Sequence, residues 1–147
     1  MKIKFYLIIS VIALGMLAGC SQTDDALVVA TDAAFPPFEF VDETSKEIVG
    51  FDIDLMKAIA EKADLDIRFQ NVAWDPLLAG MADCQYDMAI SAITILPERA
   101  EQFGFSDPYI NAGQIIAVTI DNTTISSPDD LVGATIGAQI GTTGAME

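Results

Sequence analysis

The sequence predicts an α/β fold built on a parallel sheet. Two observations carry this. Short apolar runs alternate with helical patterns, in the order strand–helix–strand–helix–strand. Each run is followed by a loop of small or polar residues, as parallel strands with right-handed crossovers require. A third observation points to where a ligand would bind. Met88-Ala89-Ile90 leads into Ser91-Ala92-Ile93-Thr94-Ile95-Leu96-Pro97-Glu98-Arg99, a loop that leaves a strand and enters a helix with Pro in its first turn. Open α/β sheets hold small ligands at the ends of strands. Arg99 carries a planar fork of donors suited to a carboxylate. Ser91 and Thr94 add hydroxyls, so the loop suits a small zwitterion.

Leu27-Val28-Val29-Ala30-Thr31 reads as the first core strand. Pro36 and Pro37 keep the next turn out of a helix and hold Phe35 extended. Glu39-Phe40-Val41 and Ile48-Val49-Gly50-Phe51 read as a small hairpin around polar residues 42–47. Residues 52–63 are the clearest helix, with Leu55, Met56, Ile59, Ala60 and Ala63 at three- and four-residue spacing. Asp52 is its expected N-cap, and Asp54 suits the positive end of its dipole. Leu65 to Asn71 is the second strand. Asp75-Pro76 is expected to cap a helix to about Ala82, with Pro at the first position. Residues 87–90 form the third strand. Cys84, in the intervening turn, is expected to be a partly buried, unpaired thiol.

Farther on, Phe105-Ser106-Asp107-Pro108-Tyr109 reads as a turn. Residues 114–119 read as a strand crossing into a second lobe, Ser126 to Leu131 as a capped helix start, and residues 134–138 as a short strand. The Gly141-Thr142-Thr143-Gly144 loop follows. A lobe with so few elements buries little core, so the sequence is expected to be a fragment of a longer chain.

Composition excludes several chemistries. The 147 residues carry a net charge of −15, with seven Lys and Arg and no His. A nucleic-acid face needs more basic residues. Without His there is no Ser-His-Asp triad and no His-ligated zinc. Two distant Cys make no thiolate metal site, so no metal and no cofactor is expected.

The N-terminus reads as an export signal. Lys2 and Lys4 precede an apolar stretch from Phe5 to Ala18, too short to span a bilayer comfortably. Leu17-Ala18-Gly19-Cys20 resembles a bacterial lipobox, in which the Cys is acylated and becomes the first residue. The expected organisation is a lipoprotein signal peptide over residues 1–19 and a lipid-anchored tether over 20–25. A first lobe over 26–112 follows, then a crossover and the start of a second lobe over 113–147. An acidic body gains nothing from an anionic membrane surface, so attachment would come from the lipid on Cys20.

Five motifs occur in order: Val29-Ala30-Thr31-Asp32-Ala33-Ala34-Phe35-Pro36-Pro37-Phe38-Glu39-Phe40, Gly50-Phe51-Asp52-Ile53-Asp54-Leu55, residues 93–100, residues 105–109 and Gly141-Thr142-Thr143-Gly144. Together they resemble the extracellular solute-binding proteins, family 3, of ABC importers for polar amino acids, such as the glutamine-binding proteins. The resemblance implies a periplasmic-binding-protein-like α/β fold of two lobes, the first nearly complete here and the second truncated, closing on a ligand like a hinged trap. It implies that Arg99 and Thr94 hold the ligand carboxylate, with backbone groups near Ser91 and Ala92. Thr143 would add a hydroxyl and N–H. Phe35 and Trp74 would flank the ligand side chain, and Asp32 would touch its polar end. Leu96 stands where the family commonly has Thr. The implied partners are a small amino acid, the permease subunits of an ABC transporter, and the membrane through the lipid at Cys20. The implied protein is a monomer outside the cytoplasmic membrane or in the periplasm, with no catalytic residue. A dehydratase-like enzyme using Asp32 or Glu39 as acid or base, or a sensor input domain, remains open on the same fold.

Overall fold

The computed structural model describes residues 25–146. The export signal, the lipobox and Cys20 lie outside them. The central element is β1 (Leu27–Thr31). Its Val29, Ala30 and Thr31 are completely buried, as a strand covered on both faces must be. It is flanked on one side by β5 (Ile67–Asn71) and on the other by β6 (Met88–Ala89), both parallel to it. Leu27 faces Ile67 and Thr31 faces Asn71 in the β1–β5 ladder. This is the expected parallel sheet: β1 has the expected bounds, while β5 and β6 are shorter than the expected 65–71 and 87–90.

Three short strands, β2 (Ala34–Phe35), β3 (Glu39–Val41) and β4 (Ile48–Val49), form a separate antiparallel sheet in that order. The β3–β4 hairpin matches the expectation. Its turn is tied by the Asp42 carboxylate, which accepts from the backbone N–H of Thr44 and Ser45 and from the Ser45 hydroxyl. These bonds hold the Asp42 pKa below its ordinary value.

Helix α1 (Phe51–Ala63) starts one residue earlier than the sequence suggested. Gly50 is the N-cap, at φ 133°. Asp52 is therefore in the first turn, not the cap, and its side chain is fully buried. Asp52, Met56 and Ala60 lie on one buried stripe at four-residue spacing, joined by Ile53. Ile59 turns outward and is half exposed. Val29, Met56 and Ile90 form the core, with Leu55, Ile67, Phe69 and Met88 packed around it.

Helix α2 (Trp74–Ala82) also starts early, with Ala73 as N-cap, so Pro76 is in the third helical position. Its Leu77 is fully buried. Cys84 follows at φ 55°, free and exposed, which corrects the expectation of partial burial. Helix α3 (Pro97–Ala100) is one turn, with Pro97 at its start as expected.

Beyond α3 the expectations hold less well. Residues 114–119 and 134–138 form no strand. A strand exists only through a ladder with a neighbour, and among the described residues no neighbour presents one. Ile115, Ile120, Val132 and Ile136 remain largely exposed. The expected helix start is a 3-10 turn, Pro128–Leu131, closed by a reciprocal capping box between Ser127 and Asp130. A second 3-10 turn covers Thr143–Ala145. Among the described residues no helix is long and apolar enough to cross a membrane.

Candidate functional site

The three parallel strands end side by side, and each hands the chain to a residue expected in the site. Asp32 follows β1, Trp74 opens the helix after β5, and Ser91 follows β6 by two residues. Cross-links hold these loops together. The Val72 N–H donates to the Thr31 carbonyl at 2.9 Å, and the Ala33 N–H to Asn71 Oδ1 at 2.9 Å. The Asp32 N–H donates to Ser91 Oγ at 3.1 Å.

Arg99 is brought to this edge by the single turn of α3 and is 6% exposed. Its Nη1 donates to the Thr94 carbonyl and its Nη2 to the Gly141 carbonyl, both at 3.0 Å. Its guanidinium carbon lies 5.5 Å from the centre of the Trp74 ring. Burial lowers its pKa, opposed by the charge of Glu98, yet a guanidinium stays charged in a protein. Both partners of the fork are neutral carbonyls, so the cation has no carboxylate bound to it among the described residues. A buried cation so placed can take a carboxylate in charge-assisted bonds, roughly twice as strong as those it now makes.

Trp74 is half-buried, with its indole N–H enclosed and without an acceptor among the described residues. Together with Ala73, Asp75, Pro76, Gln139 and Ile140 it lines a cleft of about 190 Å³. Gln139, in that lining, donates through Nε2 to Asp32 Oδ2 at 3.2 Å. Thr94 and Thr143 meet through their hydroxyls at 3.3 Å, and Gln114 Nε2 donates to Thr143 Oγ1 at 2.9 Å. Arg99 thus meets Trp74 and the Thr94 carbonyl, Thr94 meets Thr143, and Asp32 is joined to the cleft lining through Gln139.

Ser91 and Ala92 come to the same place but with less to offer than expected. The Ser91 hydroxyl, 3% exposed, accepts from Asp32 N–H and donates to Glu39 Oε1 at 2.8 Å. The Ala92 N–H donates to Asp52 Oδ2 at 2.8 Å, with Ala92 at φ 46°. Both donors are used within the protein and fix the loop. Phe35 is 54% exposed and stacks on Phe38, with ring centres 5.7 Å apart. Its ring therefore meets Phe38 and not Trp74.

Sequence reasoning missed the layer beneath. Glu39 and Asp52 are both buried, at 1% and 0% exposure. Tyr109 donates its hydroxyl to Asp52 Oδ2 at 2.8 Å. Burial, then Asp52, push the Tyr109 phenol far above its ordinary pKa. The signal for Asp52 was available: it shares the helical stripe of Met56 and Ala60. Gln114 and Gln139 had no such signal, because their partners are distant in sequence.

With this geometry in place, similarity decides the family. The sequence profile of the bacterial extracellular solute-binding proteins, family 3, matches residues 27–140. The chain belongs to that family. The arginine-binding extracellular protein ArtP of Bacillus subtilis (strain 168) is 36% identical over 124 residues, covering 84% of this chain and 48% of the relative. The ABC transporter arginine-binding protein 1 of Escherichia coli (strain K12) is 39% identical over 111 residues, covering 76% and 44%. Among solved structures, an ancestral arginine-binding protein bound to arginine superposes with a TM-score of 0.78 at 43% identity, covering 83% of this chain and 54% of its own. The fold is periplasmic-binding-protein-like, as the motifs implied. The chain spans about half the length of the curated relatives it matches.

Proposed function

We propose that this family member is the ligand-holding part of a substrate-binding component of an ABC importer, capturing a polar amino acid outside the cytoplasmic membrane and passing it to the permease. The observation that carries this is Arg99: a buried guanidinium at the strand ends, beside Thr94, Thr143 and the Trp74 ring, whose fork is bonded to two neutral carbonyls. The α-carboxylate of an amino acid supplies the two charged oxygens that such a fork accepts.

Asp32 reads the side chain. It already accepts an amide N–H from Gln139, and a ligand amide or guanidinium offers the same donor. The acidic loop and the Trp74 wall, with Phe35 as a second wall, favour arginine as the first ligand to test, in line with the arginine-binding relatives. Ser91 and Ala92 shape the pocket around it. In a panel of amino acids, arginine or glutamine should raise the melting temperature of the protein; stabilisation by leucine or valine alone contradicts this reading.

The first lobe (26–112) carries Asp32, Trp74 and Arg99, and the start of the second (113–147) brings Gln139 to Asp32 and Thr143 to Thr94. The protein is a monomer anchored through acylated Cys20 once residues 1–19 are removed, with 20–25 as the tether. Cys20→Ser should move the protein from the membrane to the soluble fraction; an unchanged distribution contradicts the anchor.

A further inference from the structure

Glu39, from β3, and Asp52, from α1, are both buried and bind adjacent residues of one loop, Ser91 and Ala92, and no role in the ligand site explains them. Each carboxyl has one oxygen fully committed. Glu39 Oε1 accepts from the Ser91 hydroxyl, and Asp52 Oδ2 accepts from both the Ala92 N–H and the Tyr109 hydroxyl. Each has a second oxygen, Glu39 Oε2 and Asp52 Oδ1, that is buried with no donor offered to it among the described residues. Two buried acceptors without a donor are costly, and two adjacent buried carboxylates cannot both ionise.

We infer that Glu39 and Asp52 share one proton between these two oxygens and, joined in this way, act as positioning residues that hold the binding loop against the sheet. The proton satisfies both orphan oxygens at once. It resides on Glu39, because Asp52 carries the two donors that stabilise a negative charge while Glu39 has one. The consequence reaches the site directly. Glu39 fixes the Ser91 hydroxyl, which in turn receives the Asp32 N–H, and Asp52 fixes the Ala92 N–H beside it.

The electrostatics agree with this arrangement. Burial pushes Glu39 up to about 8; the Ser91 hydrogen bond opposes it, while the neighbouring Asp52 carboxyl and the charge of Asp32 add to it. The titratable groups that face Glu39 are Asp52 from α1, Asp32 from the loop after β1 and Tyr109 from the segment after α3. None of them is a cation. Because the folded-state value lies above the ordinary 4.5, the folded state binds this proton more tightly than the unfolded chain. The stabilisation is complete below about pH 4.5, declines as pH rises, and is gone above about pH 8.

Carboxyl carbon NMR on the ligand-free chain tests the pair, independently of any ligand assignment. The Glu39 signal should titrate with a midpoint near 8, and the Ala92 and Asp32 amide signals should move with the same midpoint. In Glu39→Gln the amide group replaces the shared proton as donor. The variant should keep its fold at about pH 6, while the decline in melting temperature between about pH 4.5 and 8 disappears. A Glu39 carboxyl already ionised at about pH 6, or parallel declines in the two proteins, overturns the proposal. Should the variant fail to fold, the titration of the unaltered chain decides between the same two outcomes.

Discussion

The guanidinium carbon of Arg99 stands 5.5 Å from the centre of the Trp74 ring, so the first turn of α2 and the single turn of α3 meet through a cation and an aromatic face. The contact explains how a buried arginine keeps its position while its fork bonds to nothing stronger than two carbonyls. It also makes Trp74 a floor for the fork and a wall of the cleft at once.

Replacing Trp74 with Leu keeps an apolar wall but removes the π face. A cation over an aromatic ring contributes about 0.5–2 kcal/mol, more when desolvated. Ligand affinity in Trp74→Leu should therefore fall roughly 2- to 30-fold, with Trp74→Phe between the variant and the native protein. Calorimetric titration of the three proteins checks the order. Equal affinities would mean that the ring is only core packing.

The packing of the start of α1 against the segment leading into β3 depends on Gly50. At φ 133° it occupies a region that side chains avoid, and a Cβ there would collide with the Phe38 carbonyl. That same carbonyl accepts the Asp52 N–H at 2.9 Å. Gly50→Ala should destabilise the fold by about 2–4 kcal/mol, seen as a lower midpoint in urea. An unchanged midpoint would contradict the close approach of these two elements.

Tyr109 contributes a single hydroxyl to the buried layer. In Tyr109→Phe, Asp52 Oδ2 keeps only the Ala92 N–H, and the loss should be about 1–2 kcal/mol of stability. Unfolding in urea with an unchanged slope would identify this as a local loss. A neutral result would mean that water takes the place of the hydroxyl.

Much of the candidate site was legible in the sequence because its residues lie at the ends of strands. Asp32, Ser91 and the Pro97 start of α3 follow apolar runs that could be read directly, and Arg99 follows from the helix start. Asp52 was misjudged as a cap because its residue type favours that role, whereas the stripe of Met56 and Ala60 placed it in the core. Tertiary packing overrode local preference there. The strands expected at 114–119 and 134–138 failed for another reason. Ile115 and Ile136 have the apolar character of strand residues, yet a strand needs a partner, and none of the described residues supplies it. The pairing of Gln139 with Asp32 spans 107 residues and leaves no local pattern to read.

The most direct test is a calorimetric titration of arginine into the native protein and into Arg99→Ala. Arg99 has its place in the fold through the Thr94 and Gly141 carbonyls, which leave its charge without a carboxylate partner among the described residues. Removing one partner of a buried, hydrogen-bonded charge pair costs about 3–5 kcal/mol, or some hundred- to several-thousandfold in affinity. The account predicts binding by the native protein and a loss of that size in the variant, with the fold of the variant intact by circular dichroism. No binding by the native protein, or the same affinity in both, would contradict the assignment of Arg99 as the carboxylate anchor.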